Sequence, residues 1–114
     1  MRPKVKLGTR VPTLSGKEAL ILGLLLKAPS SETYGLELVG RSANMLKRGT
    51  VYVTLNRMES KGYIESRQEE QQANISGAPR RLYRVTGYGE KIYEAWQLAR
   101  EALRARSLSL GGAA

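Results

Sequence analysis

The chain is short and strongly basic: 114 residues carry 19 Lys and Arg against 10 acidic residues, a formal charge of +9. One domain is expected at this length, and the surplus of cations suggests a polyanionic partner, with nucleic acid as the first candidate. The sequence has no His, Cys or Asp, which are the usual zinc ligands and general bases. We therefore expect no enzyme activity, no metal site and no cofactor.

The N-terminal segment, residues 1–13, is predicted to be a flexible basic arm, either untethered or in contact with a DNA backbone. The longest apolar run, Ala19–Leu26, is too short to cross a bilayer. No signal-peptide core follows the basic N-terminus, so we expect a cytoplasmic, nucleoid-associated protein without a membrane partner.

The first predicted helix covers residues 15–28. Ser15 and Glu18 have the spacing of a capping box at its N-terminus. Apolar residues occupy nearly every face of this helix, so it should be buried on most sides. Leu22 and Leu25 are accordingly assigned to a subunit interface, with burial in a monomer core as the alternative.

Two further helices are expected before the first strand. Thr33 should cap one helix over 34–44, which ends near Asn44. The next begins at Gly49 or Thr50 and ends at Lys61, and Gly62 should stop it. Its buried stripe recurs at intervals of four and three: Val51, Leu55 and Met58.

A β-hairpin and a last helix complete the chain. Strands are predicted over 63–71 and 80–85, joined by a polar loop over 72–79. Thr86 should cap a helix over 87–106, and residues 107–114 should be a disordered tail. The last helix has a heptad-like seam: Ile92, Trp96, Ala99 and Leu103.

A compact helix followed by a basic hairpin predicts an α+β, mostly α, winged helix-turn-helix fold over 14–86, with 87–106 as a C-terminal dimerisation helix. The third helix would enter a major groove of double-stranded DNA, where Arg57 can pair with guanine and Asn56 with adenine. The alternative for these side chains is ordinary exposure to solvent. The full set of predicted DNA contacts is Tyr34, Lys47, Arg48, Thr50, Tyr52, Thr54, Asn56, Arg57, Lys61, Arg80, Arg81 and Arg84.

Three blocks resemble the PadR family of bacterial transcription regulators. They are YGLEL at 34–38, GTVYVTLNRMESKGYIES at 49–66 and APRRLYRVTGYGE at 78–90. The resemblance implies a homodimer in which the C-terminal helix packs on the partner's N-terminal helix, as in the small subgroup with a single C-terminal helix. The chain departs from the family pattern at Val53, where proline is frequent, and at Leu82 and Gly87.

The predicted function is a homodimeric repressor on an inverted repeat. The resemblance also implies a small aromatic effector, for which Tyr93 and Trp96 are the candidate ligand residues; interface packing is the alternative for both. Two other functions stay open: a protein-interaction module and a general DNA-coating protein.

Overall fold

The computed structural model describes residues 14–69 and 80–112, with the side chains of 14–69 and 80–107. Its elements in chain order are α1 (Gly16–Leu26), β1 (Thr33–Tyr34), α2 (Gly35–Arg41), α3 (Arg48–Ser60), β2 (Ile64–Gln68), β3 (Arg81–Val85) and α4 (Gly87–Gly112). The strands form one antiparallel sheet in the order β1–β3–β2. The predicted winged helix-turn-helix with a C-terminal helix is therefore confirmed. The predicted arm 1–13 and loop 72–79 lie outside the described residues.

The capping box at the start of α1 is confirmed. The Glu18 amide donates to Ser15 Oγ at 3.1 Å, and the Ser15 amide donates to Glu18 Oε1 at 2.9 Å. Glu18 also accepts a hydrogen bond from Lys61 Nζ at 2.8 Å. The carboxylate thus ties the start of α1 to the end of α3. The helix ends at Leu26, two residues before the predicted boundary, ahead of Pro29.

The hydrophobic core lies between the first three helices and the inner face of the sheet. Its buried members are Ile21, Leu22, Leu25, Leu38, Leu46, Val51, Leu55, Met58, Tyr63, Ile64 and Tyr83. The predicted stripe of α3 is confirmed. The interface assignment of Leu22 and Leu25 is wrong, because their exposed fractions are 0% and 1% within the single chain. Helix α1 contacts α2, α3, α4 and β3, and these two side chains are buried among them.

The second helix is shorter than predicted. Thr33 does not cap it, because this residue lies in β1 and is paired with Tyr83. The helix ends at Arg41, and Ala43 and Asn44 then take left-handed backbone angles, with φ of 53° and 69°. Strand β1 has two residues, too few to produce an alternating pattern that the sequence could reveal.

The start of α4 is fixed by one hydroxyl and one glycine. Thr86 Oγ1 accepts from the Gly89 amide at 2.9 Å and donates to the Gly62 carbonyl at 2.6 Å, which confirms Thr86 as the cap. A Cβ at Gly89 would lie 1.9 Å from the Tyr63 carbonyl oxygen, so only glycine fits. The helix continues to Gly112, which corrects the predicted tail for residues 107–112. That stretch contains no glycine or proline before residue 111.

Candidate nucleic-acid interface

The outward face of α3 is the centre of the candidate site. Successive residues of a helix are rotated by roughly 100°, so Val53 lies almost opposite the buried Leu55 and Met58. Arg57 lies one turn beyond Val53 and is exposed, as are Thr50, Asn56 and Val53 itself. The structure therefore turns these predicted contact residues away from the core, with Thr54 at the partly covered edge of the same face.

The two threonines of this face use their hydroxyl protons within the helix. Thr54 Oγ1 donates to the Thr50 carbonyl at 3.2 Å, and Thr50 Oγ1 donates to the Lys47 carbonyl at 3.4 Å. Threonine in a helix commonly bonds back to the preceding turn in this way. Both oxygens can still accept hydrogen bonds, but their donor capacity is already used.

Cations without acid partners surround the N-terminus of α3. Lys47 occupies the N-cap position, and Arg48 begins the helix; both are exposed. Among the described side chains, neither forms an ion pair, and the same is true of Arg57. The N-terminal end of a helix carries partial positive charge, so these residues add to a field that attracts anions.

The alternation along β3 and the residue before it places three arginines on two different faces of the sheet. Arg81 shares the inner face with the buried Tyr83, whereas Arg80 and Arg84 lie on the outer face. Arg81 Nη1 donates to Ser66 Oγ at 3.0 Å, and that hydroxyl contacts the Glu59 carboxylate of α3. This corrects the grouping of the three arginines, because only Arg81 is tied to α3.

On the outer face of the sheet, arginines are paired with glutamates. Arg84 Nε lies 2.6 Å from Glu65 Oε1, across the strand pair. Arg67 and Glu32 form a two-pronged pair with both distances at 2.9 Å. Arg80 is the third such residue, and its carboxylate partner is Glu69 at 3.2 Å. The cationic charge on this face is therefore largely compensated.

Tyr34 is also engaged on the outer face. Its hydroxyl donates to Glu69 Oε1 at 2.6 Å, and the Arg80 guanidinium lies 4.1 Å from the centre of its ring. The hydrogen bond raises the pKa of Tyr34 and lowers the pKa of Glu69. The hydroxyl predicted to contact a phosphate is thus already bonded to a carboxylate.

The Lys61 side chain is bonded to α1. Its ammonium group bonds to the buried carboxylate of Glu18 and lies 5.5 Å from the centre of the Tyr63 ring. Burial raises the pKa of Glu18, but the hydrogen bonds from Lys61 and Ser15 outweigh it and bring the pKa below its usual value. In the single chain Lys61 links α3 to α1, and its assignment to DNA stays a prediction.

A cleft of about 700 Å³ separates α2 and α3 from the start of β3. Tyr52 forms one wall, 41% exposed, and packs against Gly35. A Cβ at Gly35 would lie 2.6 Å from Tyr52 Cε1, so the glycine makes room for the ring. Arg81 of β3 and Leu36 and Glu37 of α2 also line the cleft. The cleft thus joins a polar aromatic hydroxyl and a cation from separate elements.

The seam of α4 is only half covered by its own chain. Ile92 and Tyr93 pack against the core, and Gly23 of α1 allows the Tyr93 hydroxyl to approach closely; Trp96 is also partly buried. Ala99 and Leu103 are exposed, and Leu103 keeps 68% of its surface. The predicted ligand residues stack on each other, with Tyr93 and Trp96 ring centres 5.9 Å apart, beside a depression of about 250 Å³.

Several features of the site were missed from the sequence. The acid partners of the outer face and the link from Arg81 through Ser66 to Glu59 were not predicted. The alternation along β3 could have indicated the acid partners of the outer face, since odd and even positions of a strand point to opposite faces. Within the described residues no cluster of metal-ligating side chains occurs, and no helix there is long and apolar enough to cross a membrane.

Comparison with known proteins gives a family match over two thirds of the chain. A profile described as the transcriptional regulator PadR-like family matches residues 21–95. No match was found among curated proteins.

Solved structures share the fold. A PadR family transcription regulator from Clostridium difficile is 27% identical, with a TM-score of 0.57 over 82% of this chain and 93% of its own. A PadR family regulator from Eggerthella lenta is 24% identical, with a TM-score of 0.66 over 81% and 78%. Bacillus subtilis PadR in complex with operator DNA is 22% identical, with a TM-score of 0.58 over 69% and 46%.

Proposed function

Because the chain belongs to the PadR-like family of transcriptional regulators, we propose that it is a repressor that binds an inverted repeat in double-stranded DNA as a homodimer. The observation that carries this proposal is the outward face of α3, where exposed Arg57 and the cations at the helix N-terminus have no acid partner among the described side chains. A polyanion can neutralise this face without breaking an existing ion pair.

The proposed contacts divide into two kinds. On α3, Arg57 and Asn56 reach base edges in the major groove, where arginine pairs with guanine and an amide with adenine. Backbone contacts come from Lys47 and Arg48 at the helix N-terminus and from Tyr52 and Arg81 across the cleft. Phosphate contacts position the protein and carry no direct sequence information, whereas base contacts specify the target.

Dimerisation through α4 is supported by apolar side chains that the single chain leaves uncovered. Leu98 and Leu103 keep 72% and 68% of their surfaces exposed, and Trp96 lies on the half-covered side of the helix. A twofold dimer places two α3 helices in successive major grooves, so half-sites should lie about one helical turn apart, roughly 34–36 Å. Sedimentation equilibrium of the wild type and of Trp96→Ala with Leu103→Glu tests this, and equal masses would contradict the proposal.

The candidate effector site beside Tyr93 and Trp96 needs the second subunit. The depression there, about 250 Å³, is below the roughly 300 Å³ at which ligand pockets usually begin. Arg100 already covers part of the Trp96 ring, with its guanidinium carbon 5.2 Å from the ring centre. We infer that a small aromatic effector, placed between two copies of α4, would change the spacing of the α3 pair and release DNA.

The test of function is selection of bound duplexes from a random library, followed by titration of the selected duplex with salt. Specific binding with a steep logarithmic salt dependence is expected, because phosphate contacts release counterions. Equal affinity for selected and random duplexes would instead support a general DNA-coating protein at the nucleoid. Absence of salt-dependent duplex binding would favour the protein-interaction module.

A further inference from the structure

We propose that Val53 recognises the C5-methyl group of a thymine in the major groove, so that α3 selects its target partly through methyl contacts. The inference rests on the proposed function and deepens it, because it names a base type and a residue that reads it.

The position of Val53 supports this role. It lies near the middle of the thirteen-residue helix Arg48–Ser60 and is 57% exposed. At roughly 100° per residue it points almost directly away from the buried Leu55 and Met58. If α3 enters the major groove with its buried side facing the rest of the protein, the Val53 side chain faces the floor of the groove.

The neighbours of Val53 strengthen its apolar character. Thr50 and Thr54 donate their hydroxyl protons to carbonyls one turn earlier, at 3.4 Å and 3.2 Å. In these conformations the two side chains offer a methyl group and an accepting oxygen, but no proton. On this face, therefore, Arg57 and Asn56 carry amino groups that can donate to base acceptors, whereas Thr50 and Thr54 add methyl groups to those of Val53.

Thymine is the one base that matches this surface. In the major groove each base pair presents its own pattern of donors and acceptors, and only thymine adds an apolar group, its C5-methyl. Excluding water from one methyl or methylene is worth about 0.8 kcal/mol, which corresponds to about fourfold in affinity. The effect is modest for each half-site and doubles in free energy for a symmetric pair.

The spacing along α3 also restricts where the thymine lies. Val53 and Arg57 are separated by four residues, or roughly 6 Å along the helix axis. Base pairs follow one another at roughly 3.4 Å, so the two side chains reach positions one or two steps apart. We therefore expect the thymine one or two base pairs from the guanine that Arg57 contacts.

The test removes the methyl group from either side of the contact. In the selected duplex each thymine is replaced in turn, symmetrically in both half-sites, by deoxyuridine, which lacks only this methyl. Wild-type protein should lose about fourfold per half-site at one position. Val53→Ala should bind the thymine duplex correspondingly more weakly and show no further loss with uracil at that position. Val53→Ile and Thr54→Val, which keep methyl groups on this face, should retain the sensitivity to uracil.

Two results would overturn the inference: wild-type protein that tolerates uracil at every position, or Val53→Ala that is as sensitive as wild type. Thermal melting of each variant checks the fold, and the exposed position of Val53 predicts unchanged midpoints. If selection yields no preferred duplex, the proposed function fails and the inference fails with it. Specific binding that is indifferent to thymine methyls sinks the inference alone.

Discussion

The outward face of α3 and the outer face of the sheet are both rich in cations, but they differ in how these are paired. On the sheet, Arg67 and Arg84 bond to Glu32 and Glu65, so the face is nearly neutral. Around α3, Lys47, Arg48 and Arg57 form no ion pair among the described side chains. An excess of positive charge in the sequence therefore indicates a polyanion site only where the Lys and Arg side chains are not already paired with acids.

The difference has a geometric cause. Residues opposite each other in an antiparallel sheet lie about 5 Å apart at Cβ, so Glu65 and Arg84 pair directly across the strands. Helix α3 contains a single acid, Glu59, which turns toward Ser66 in β2. No carboxylate of α3 is therefore left to neutralise the cations on its other side.

The largest expected effect comes from Arg57. Arg57→Ala should weaken binding to the selected duplex by about 5–150-fold per half-site, since a two-pronged arginine–guanine contact is worth about 1–3 kcal/mol. Sequence preference at that position should relax at the same time. Fluorescence anisotropy with selected and random duplexes measures both effects.

Arg84→Ala is the matched control for Arg57→Ala, because it also removes an exposed arginine, but from the paired outer face. It should change either affinity by less than about twofold, given the small worth of exposed ion pairs. Similar losses in the two variants would show that the contrast between the faces has no functional meaning.

Lys61 tests whether a cation counted with α3 is in fact structural. Glu18→Gln should lower the free energy of unfolding by about 1–2 kcal/mol, because a buried acceptor loses its charged hydrogen bonds to Lys61 and Ser15. Urea denaturation measures the loss. Lys61→Met should be similarly destabilised but keep the salt slope of DNA binding, and a slope reduced by about 1 for each subunit would show that Lys61 contacts a phosphate.

The same ion pair predicts how stability depends on pH. The pKa of Glu18 is lowered from 4.5 in the folded chain. Its contribution is therefore complete above pH 4.5 and is lost as the pH falls below that value toward the folded pKa. Glu18→Gln should reduce the acid sensitivity of the urea midpoint in this window; an unchanged pH profile would contradict the assignment.

Arg81 should have a smaller and sequence-independent effect. Arg81→Ala is expected to weaken selected and random duplexes alike, about threefold per half-site, and to reduce the salt slope by about 1 for each subunit, as for one lost phosphate contact per half-site. Its position on the inner face beside Ser66 sets it apart from Arg84. A loss confined to the selected duplex would make Arg81 a base reader instead.

The smallest effect should come from removing an acid partner from the outer face of the sheet. Glu65→Gln leaves Arg84 without its carboxylate and should raise affinity for any duplex, by no more than about twofold at low salt. The gain should vanish when salt is raised. A gain as large as the loss in Arg57→Ala would mean that the outer face lies against the DNA backbone.

Local signals in the sequence located most elements correctly. The capping box of α1, the stripe of Val51 and Leu55, the stop at Gly62 and the Thr86 cap each depend on residues within a few positions of one another. Such local patterns can be recognised from the sequence alone, because they do not depend on tertiary contacts. The outward position of Arg57 followed from the same periodicity, since the side opposite a buried stripe is exposed.

By itself, the sequence determined the order of helices and hairpin, the core stripe of α3 and the excess of positive charge. Tertiary structure decided which cations are available, because pairs such as Arg67 with Glu32 join residues 35 positions apart. It also decided that Leu22 and Leu25 belong to the core and that Gly89 admits no side chain. Periodicity and capping act over one or two turns, whereas burial and ion pairing depend on which distant segments the packed core brings together.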